Sequence, residues 1–184
     1  MPVFAASAMV MVSLLAGAEP PRTLALARLA DLLGPPAFLS APLPFDHSHY
    51  YDREMGAPLN RRLALFNRLV QPWRLAEIKS RCLALETELA PEGRRQVNID
   101  PGLLSAGGLT LASHKERPHR VAIGPGLWAE PTLVFQEGGF QPLPWTYPDY
   151  AGQEIRTLLN NLRRRCLWEM KRTPDQGGTA CSNP

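Results

Sequence analysis

The hydrophobic period changes near residue 90, and that switch limits what the chain can fold into. Before it, apolar residues recur at intervals of three and four. Leu26, Leu29 and Leu33 form one such stripe, and Leu75, Ile78, Cys82, Leu85 and Leu89 a longer one. Each stripe puts its apolar side chains on one side of a helix. After it, the apolar runs are short and bounded by Pro or Gly: Val97–Asp100, Leu109–Ser113, Val121–Ile123 and Trp128–Phe135. These are predicted strands, with Gly124-Pro125-Gly126 a turn between the last two. Ile155, Leu158, Leu159, Leu162 and Cys166 restore the helical period over Gln153–Met170.

Three further stretches complete the outline. Leu59, Leu63, Phe66 and Val70 fit a helix opened by Pro58 and ended by Pro72, and Ala37–Pro44 an extended segment. Val3, Phe4 and Met9–Val12 suit a buried first strand. The uncharged run Pro2–Ala18, ending in Leu15-Ala16-Gly17-Ala18, also has some look of a secretion signal. It lacks a basic leading segment, however, and Ser7 and Ser13 interrupt it, so the strand is preferred. The order β-α-(β)-α-α-β-β-β-α implies an α+β class. The expectation is a single domain over residues 1–172 with a mixed or antiparallel sheet and helices mainly on one face. A ferredoxin-like first half is compatible with that order. The polar stretch Thr173–Pro184 is expected to be a disordered tail.

Charge and cysteine content narrow the functional classes. The net charge is +3 over 184 residues, with both signs interspersed. Such a balance suits an anionic small molecule and falls short of a nucleic-acid footprint. The one basic block, Arg163-Arg164-Arg165, lies in a helical pattern and reads as a solvated face. Cys82, Cys166 and Cys181 are odd in number and lack metal-ligand spacing, which fits a reducing compartment and a cytoplasmic location. The phosphate loop GxxxxGK[ST], a GxGxxG joining strand to helix, GxSxG, HExxH and CxxC are all absent.

Polar residues that could carry chemistry fall in three clusters. In Phe45–Gly56, His47 and His49 would share one face of an extended segment and could ligate a metal with Asp46 or Glu54. A loop whose polar groups satisfy local backbone is the preferred reading. In Val97–Gly102, Asn98 and Asp100 would share a strand face and could orient a ligand hydroxyl or hydrated Mg²⁺. The Asp100-Pro101-Gly102 sequence favours a turn instead. Around the Gly124–Gly126 turn, Arg120 and Glu130 are placed to approach across a hairpin, with Lys115 and His119 nearby. Lys79 and Glu86 sit at the margin of the third helical stripe, from which long side chains reach over a sheet, although a solvated pair is the commoner outcome.

FDHSHYYDREMG (Phe45–Gly56), IKSRCLALE (Ile78–Glu86), RRQVNIDPG (Arg94–Gly102), the run from Leu109 to Phe135 and WTYPDY (Trp145–Tyr150) together carry a resemblance. The chain resembles the bacterial family catalogued as domain of unknown function 4416 over roughly Pro2–Arg165. The resemblance implies an intracellular domain that begins with a strand, and it supplies no mechanism. The family-like polar positions are Asp46, Tyr50, Tyr51, Glu54, Arg61, Lys79, Glu86, Asn98, Asp100, Lys115, His119, Arg120, Glu130, Thr146 and Asp149. His49 and His114 depart from the family pattern.

Two functions compete on these residues. In the first, Asp46, Tyr50, Tyr51, Glu54, Lys79, Glu86, Asn98, Asp100, Lys115, His119, Arg120 and Glu130 form one polar site for a small molecule or nucleotide phosphate. Lys79, Lys115 and Arg120 would meet the phosphate, and the carboxylates would hold Mg²⁺ or move protons. In the second, the protein is a non-catalytic interaction module presenting Tyr50, Tyr51, Trp145, Tyr147 and Tyr150 to a protein partner. Neither reading calls for nucleic acid or a membrane.

Overall fold

The computed structural model describes residues 6–46 and 51–172. Its centre is strand β1 (Ala8–Ala16), in which all nine residues are buried. A strand covered on both faces reads as a continuous apolar run rather than an alternating one. That explains why this segment looks superficially like a secretion signal. Helix α1 (Glu19–Leu33) follows, opened by Pro20-Pro21 and ended at Gly34, whose φ of 86° no residue with a side chain adopts easily. The extended segment arrives as β2 (Pro36–Leu39) and β3 (Leu43–Pro44).

The predicted helix over Leu59–Val70 is a strand, β4 (Asn60–Val70), preceded by the short helix α2 (Asp52–Met55). Leu63, Ala64, Leu65 and Phe66 are consecutive and all fully buried. Ala64 and Phe66 pack toward one layer of helices while Leu63 and Leu65 pack toward the other. Such a run contains residues at helical intervals by necessity, so period alone misassigns it.

Helix α3 (Leu75–Glu88) and β5 (Asn98–Leu104) complete a βαββαβ unit. Its strands lie in the order β2-β4-β1-β5, each antiparallel to its neighbours. In both β-α-β units the paired strands flank a third, as in a ferredoxin-like split unit. The sheet extends through β6 (Gly108–Ser113) to β8 (Leu127–Gln136), whose far side pairs with β7 (Val121–Gly124) and β9 (Gly139–Pro142). Helices α4 (Pro148–Ala151) and α5 (Gln153–Arg172) close the chain. The fold is α+β in one domain. Among the described residues, no helix is long and apolar enough to cross a membrane.

The pleat of β1 divides the core. Val10, Val12 and Leu14 face α1 and α3, while Met9 and Met11 face Leu159, Leu162 and Cys166 of α5. Two of the three long helices thus share one face. On the α5 face, the next residues in step are Ser13 and Leu15, and there the helical cover ends.

Candidate functional site

A cavity of about 470 Å³ occupies the part of the sheet that α5 leaves uncovered. Its floor follows from strand register. Leu15 pairs with Arg61 and with Asn98, Ser13 with Asp100, Gly102 with Leu111, and Leu111 with Glu130. Directly paired residues point to the same face of a sheet. Arg61, Asn98, Asp100, Leu111 and Glu130 therefore line one surface though they come from four strands. Phe45, Tyr51, the segment Ser113–Arg120, and Trp145, Tyr147 and Tyr150 raise the walls around it.

Asp100 belongs to a strand and not to the turn that Asp-Pro-Gly suggests. β5 runs through Pro101 and Gly102, and the local packing accounts for all three residues. The amide of Ile99 donates to Glu86 Oε1 at 2.6 Å, and its carbonyl accepts from Lys79 Nζ at 3.0 Å. These groups point away from β1, toward the side where β5 meets β6 only over Gly102–Leu104. Two residues on, Pro101 presents its missing N–H to that same edge, where no ladder bond is required. At Gly102 the strands close up: a Cβ there would lie 2.6 Å from Leu111 Cδ2 and 2.8 Å from the Thr110 carbonyl.

Lys79 and Glu86 are thus neither a solvated pair nor part of the cavity lining. They come from the opposite side of the sheet and cap its split edge. Lys79 is 1% exposed and also donates to Asp100 Oδ1 at 2.8 Å. Burial pushes the Lys79 ammonium down, but the Asp100 and Glu86 carboxylates outweigh it and raise its pKa. Burial likewise works against ionised Asp100, yet Lys79, Asn98 and Arg61 hold it below the ordinary carboxylate value. Asn98 Nδ2 donates to Asp100 Oδ2 at 2.6 Å. Glu86 is pushed up to about 7, mainly by burial.

The hairpin contact is present as expected. Arg120 Nε meets Glu130 Oε2 at 2.6 Å, and His119 Nε2 reaches the same oxygen at 2.9 Å. Arg120 Nη1 also donates to Ser113 Oγ at 2.8 Å and to the Lys115 carbonyl at 2.6 Å. One guanidinium therefore clasps both ends of the β6–β7 connection. Glu130 orients the His119 imidazole, as carboxylates do in acid–base sites, but its charge is already shared with Arg120. The His119 ring stacks on Trp145, with centroids 4.9 Å apart and 8° between planes. Trp145 is fixed in turn by its indole N–H on the Pro131 carbonyl at 2.8 Å.

Arg61 anchors the opposite end. It is buried, pairs with Asp149 at 2.7 Å, and donates to Tyr150 Oη at 3.1 Å. Its guanidinium also lies 5.2 Å from the Phe45 ring centroid and 4.9 Å from that of Tyr150.

The predicted residues divide accordingly. Tyr51, Asn98, Asp100, Lys115, His119, Arg120 and Glu130 converge on the cavity. Lys79 and Glu86 lie behind it. Asp46 and Glu54 are exposed outside the lining, with Glu54 paired to Arg95 at 3.3 Å. Tyr50, and the metal-ligating pair proposed for His47 and His49, lie outside the described residues. Among the described residues, no group of three His, Cys, Asp or Glu side chains is placed to hold a metal. Asp100 and Glu130, which in the first reading hold Mg²⁺ or move protons, each pair with a basic residue, Lys79 and Arg120 respectively. Arg117 and His114 also line the wall. Burial first, then the charges of Lys79 and Lys115, depress the pKa of His114. Arg61 was legible only as a family-like position, because its strand reads as a helix.

No curated protein and no solved structure matches the chain. The family model described as Domain of unknown function (DUF4416) matches residues 6–166, which includes every strand of the sheet. The chain belongs to the DUF4416 family.

Proposed function

We propose that the protein binds a small anionic organic ligand in this cavity, and that a phosphate-bearing metabolite is the class it suits best. The observation that carries the reading is the chemistry of the lining. Arg61, Lys115, Arg117 and Arg120 line the cavity with only two carboxylates, Asp100 and Glu130. Asp100 is held by Lys79, Glu130 by Arg120 and His119, and Arg61 by Asp149 behind the lining, which leaves the lining with more basic than acidic groups. The balance favours an incoming anion. Phe45, Tyr51, Trp145 and Tyr147 add flat apolar walls suited to the rest of such a molecule. A cavity of about 470 Å³ matches a small metabolite.

Thermal melting against nucleotides and sugar phosphates, with and without Mg²⁺, tests this. A ligand at about 100 times its Kd adds roughly 2.7 kcal/mol, a shift of several degrees for a domain this size. The shift is expected to shrink in Arg117→Ala and Trp145→Ala, whose side chains stand at the rim. No shift with any such ligand, or one that both variants retain in full, overturns the reading.

One observation favours a second reading, a protein-interaction module. Trp145 and Tyr147 are 37% and 45% exposed at the cavity mouth. Tyr150 does not fit that role, because it is 3% exposed and bonded to Arg61. Partner capture that Trp145→Ala abolishes, in the absence of any small-molecule shift, would favour this module.

A further inference from the structure

Helix α5 carries a feature unrelated to the cavity. Ile155, Leu159, Leu162 and Cys166 bury one side of it against the sheet. On the opposite side Trp168 is 52% exposed. Arg164 and Arg165 precede it by four and three residues, and Lys171 and Arg172 follow by three and four. Those spacings put all four cations around the indole on the outward face. Each of the four is exposed, and the Arg172 guanidinium lies 4.2 Å from the Trp168 ring centroid. Glu169 is the single acid in this stretch; it is buried, with its Oε1 4.0 Å from Arg165 Nη2, so it offsets at most one of the four cations. Arg163 belongs to the fold: its Nε donates to the Ala106 carbonyl at 2.7 Å.

We propose that this face is a docking surface for an anionic phospholipid bilayer, a peripheral contact that needs no spanning helix. The chemistry is complementary on both counts. Arginines take phosphate oxygens in pairs of hydrogen bonds, and clustered cations are drawn to an anionic leaflet. An indole settles at headgroup depth, with its ring in the apolar boundary and its N–H toward water. The shape argues in the same direction. A helix lying on a sheet presents a convex ridge, which meets a flat surface. Single-stranded nucleic acid is held in grooves. A second copy of the chain is disfavoured, because a two-fold contact would set this cationic patch against itself. The expectation from sequence, a merely solvated basic face, did not include the exposed tryptophan at its centre.

The test is cosedimentation of the full chain with vesicles of phosphatidylcholine alone and with phosphatidylglycerol added. Binding is expected only to the anionic vesicles and is expected to weaken as salt is raised. Reversing two charges in Arg164→Glu/Arg165→Glu should weaken it roughly tenfold or more. Lys171→Glu/Arg172→Glu should do the same. Unchanged melting curves would show that each variant is folded. Lipids brominated near the headgroup should quench tryptophan emission, and Trp168→Phe should remove that quenching. Equal binding to neutral vesicles overturns the proposal, as does no binding to anionic ones. Displacement from vesicles by a stoichiometric single-stranded oligonucleotide would reassign the face to nucleic acid.

Discussion

Lys79 and Asp100 meet at 2.8 Å across the split between β5 and β6, joining a helix on one face of the sheet to the cavity on the other. The ammonium is wholly buried, while 34% of the carboxylate side chain remains open to the cavity. Replacing Lys79 with Met would strand Asp100 and leave the Ile99 carbonyl without its donor. The expected loss is about 3–5 kcal/mol, read by urea denaturation. Adding Asp100→Asn should recover part of it, because the uncompensated charge goes too. Strictly additive losses would show that the two residues are uncoupled.

Glu86 sets a dependence on pH. Its pKa rises from 4.5 to about 7 in the fold. A raised carboxyl binds its proton more tightly when folded, so its contribution is complete below pH 4.5 and is lost as pH rises through about 7. The change attributable to this one group is on the order of 3 kcal/mol. Glu86→Gln keeps an acceptor for the Ile99 amide and removes the titration. The stability difference between variant and wild type should therefore move in the variant's favour from pH 5 to pH 8. Parallel stability curves would rule this out.

Gly102 is needed for close approach and not for an unusual backbone angle. In Gly102→Ala the new methyl meets Leu111 and the Thr110 carbonyl within 2.8 Å. The pairing between β5 and β6 must shift, at a cost of about 1–3 kcal/mol. Because Leu111 also lines the cavity, any ligand found by thermal melting should bind this variant more weakly. An alanine variant that melts with the wild type would mean that the strands yield freely.

Arg61→Lys should behave as a severe change despite keeping the charge. An ammonium cannot meet Asp149 and Tyr150 together while lying flat between Phe45 and Tyr150. A destabilisation of about 2–4 kcal/mol is expected from calorimetric Tm values, by comparison with other disrupted buried pairs. A variant that melts within a degree of wild type would show that charge alone suffices.

The sequence by itself determined the helices α1, α3 and α5, the strands β6, β7 and β8, the first half of β5 and the α+β class, but not β9. It also pointed to the Arg120–Glu130 contact. These rest on local periodicity and on a short hairpin, where residues near in sequence are near in space. Tertiary structure decided the rest. β4 reads as a helix because a strand buried on both faces loses its alternation. Asp100-Pro101-Gly102 reads as a turn because the use of each residue depends on β6, Lys79 and Glu86, which arrive from elsewhere in the chain. The cavity depends on the register of five strands, a set of pairings no local pattern encodes. Arg61, Asp100 and Glu130 come to line one cavity only once the pairing of β1 with β4 and β5, and of β6 with β5 and β8, has fixed which face each of them takes.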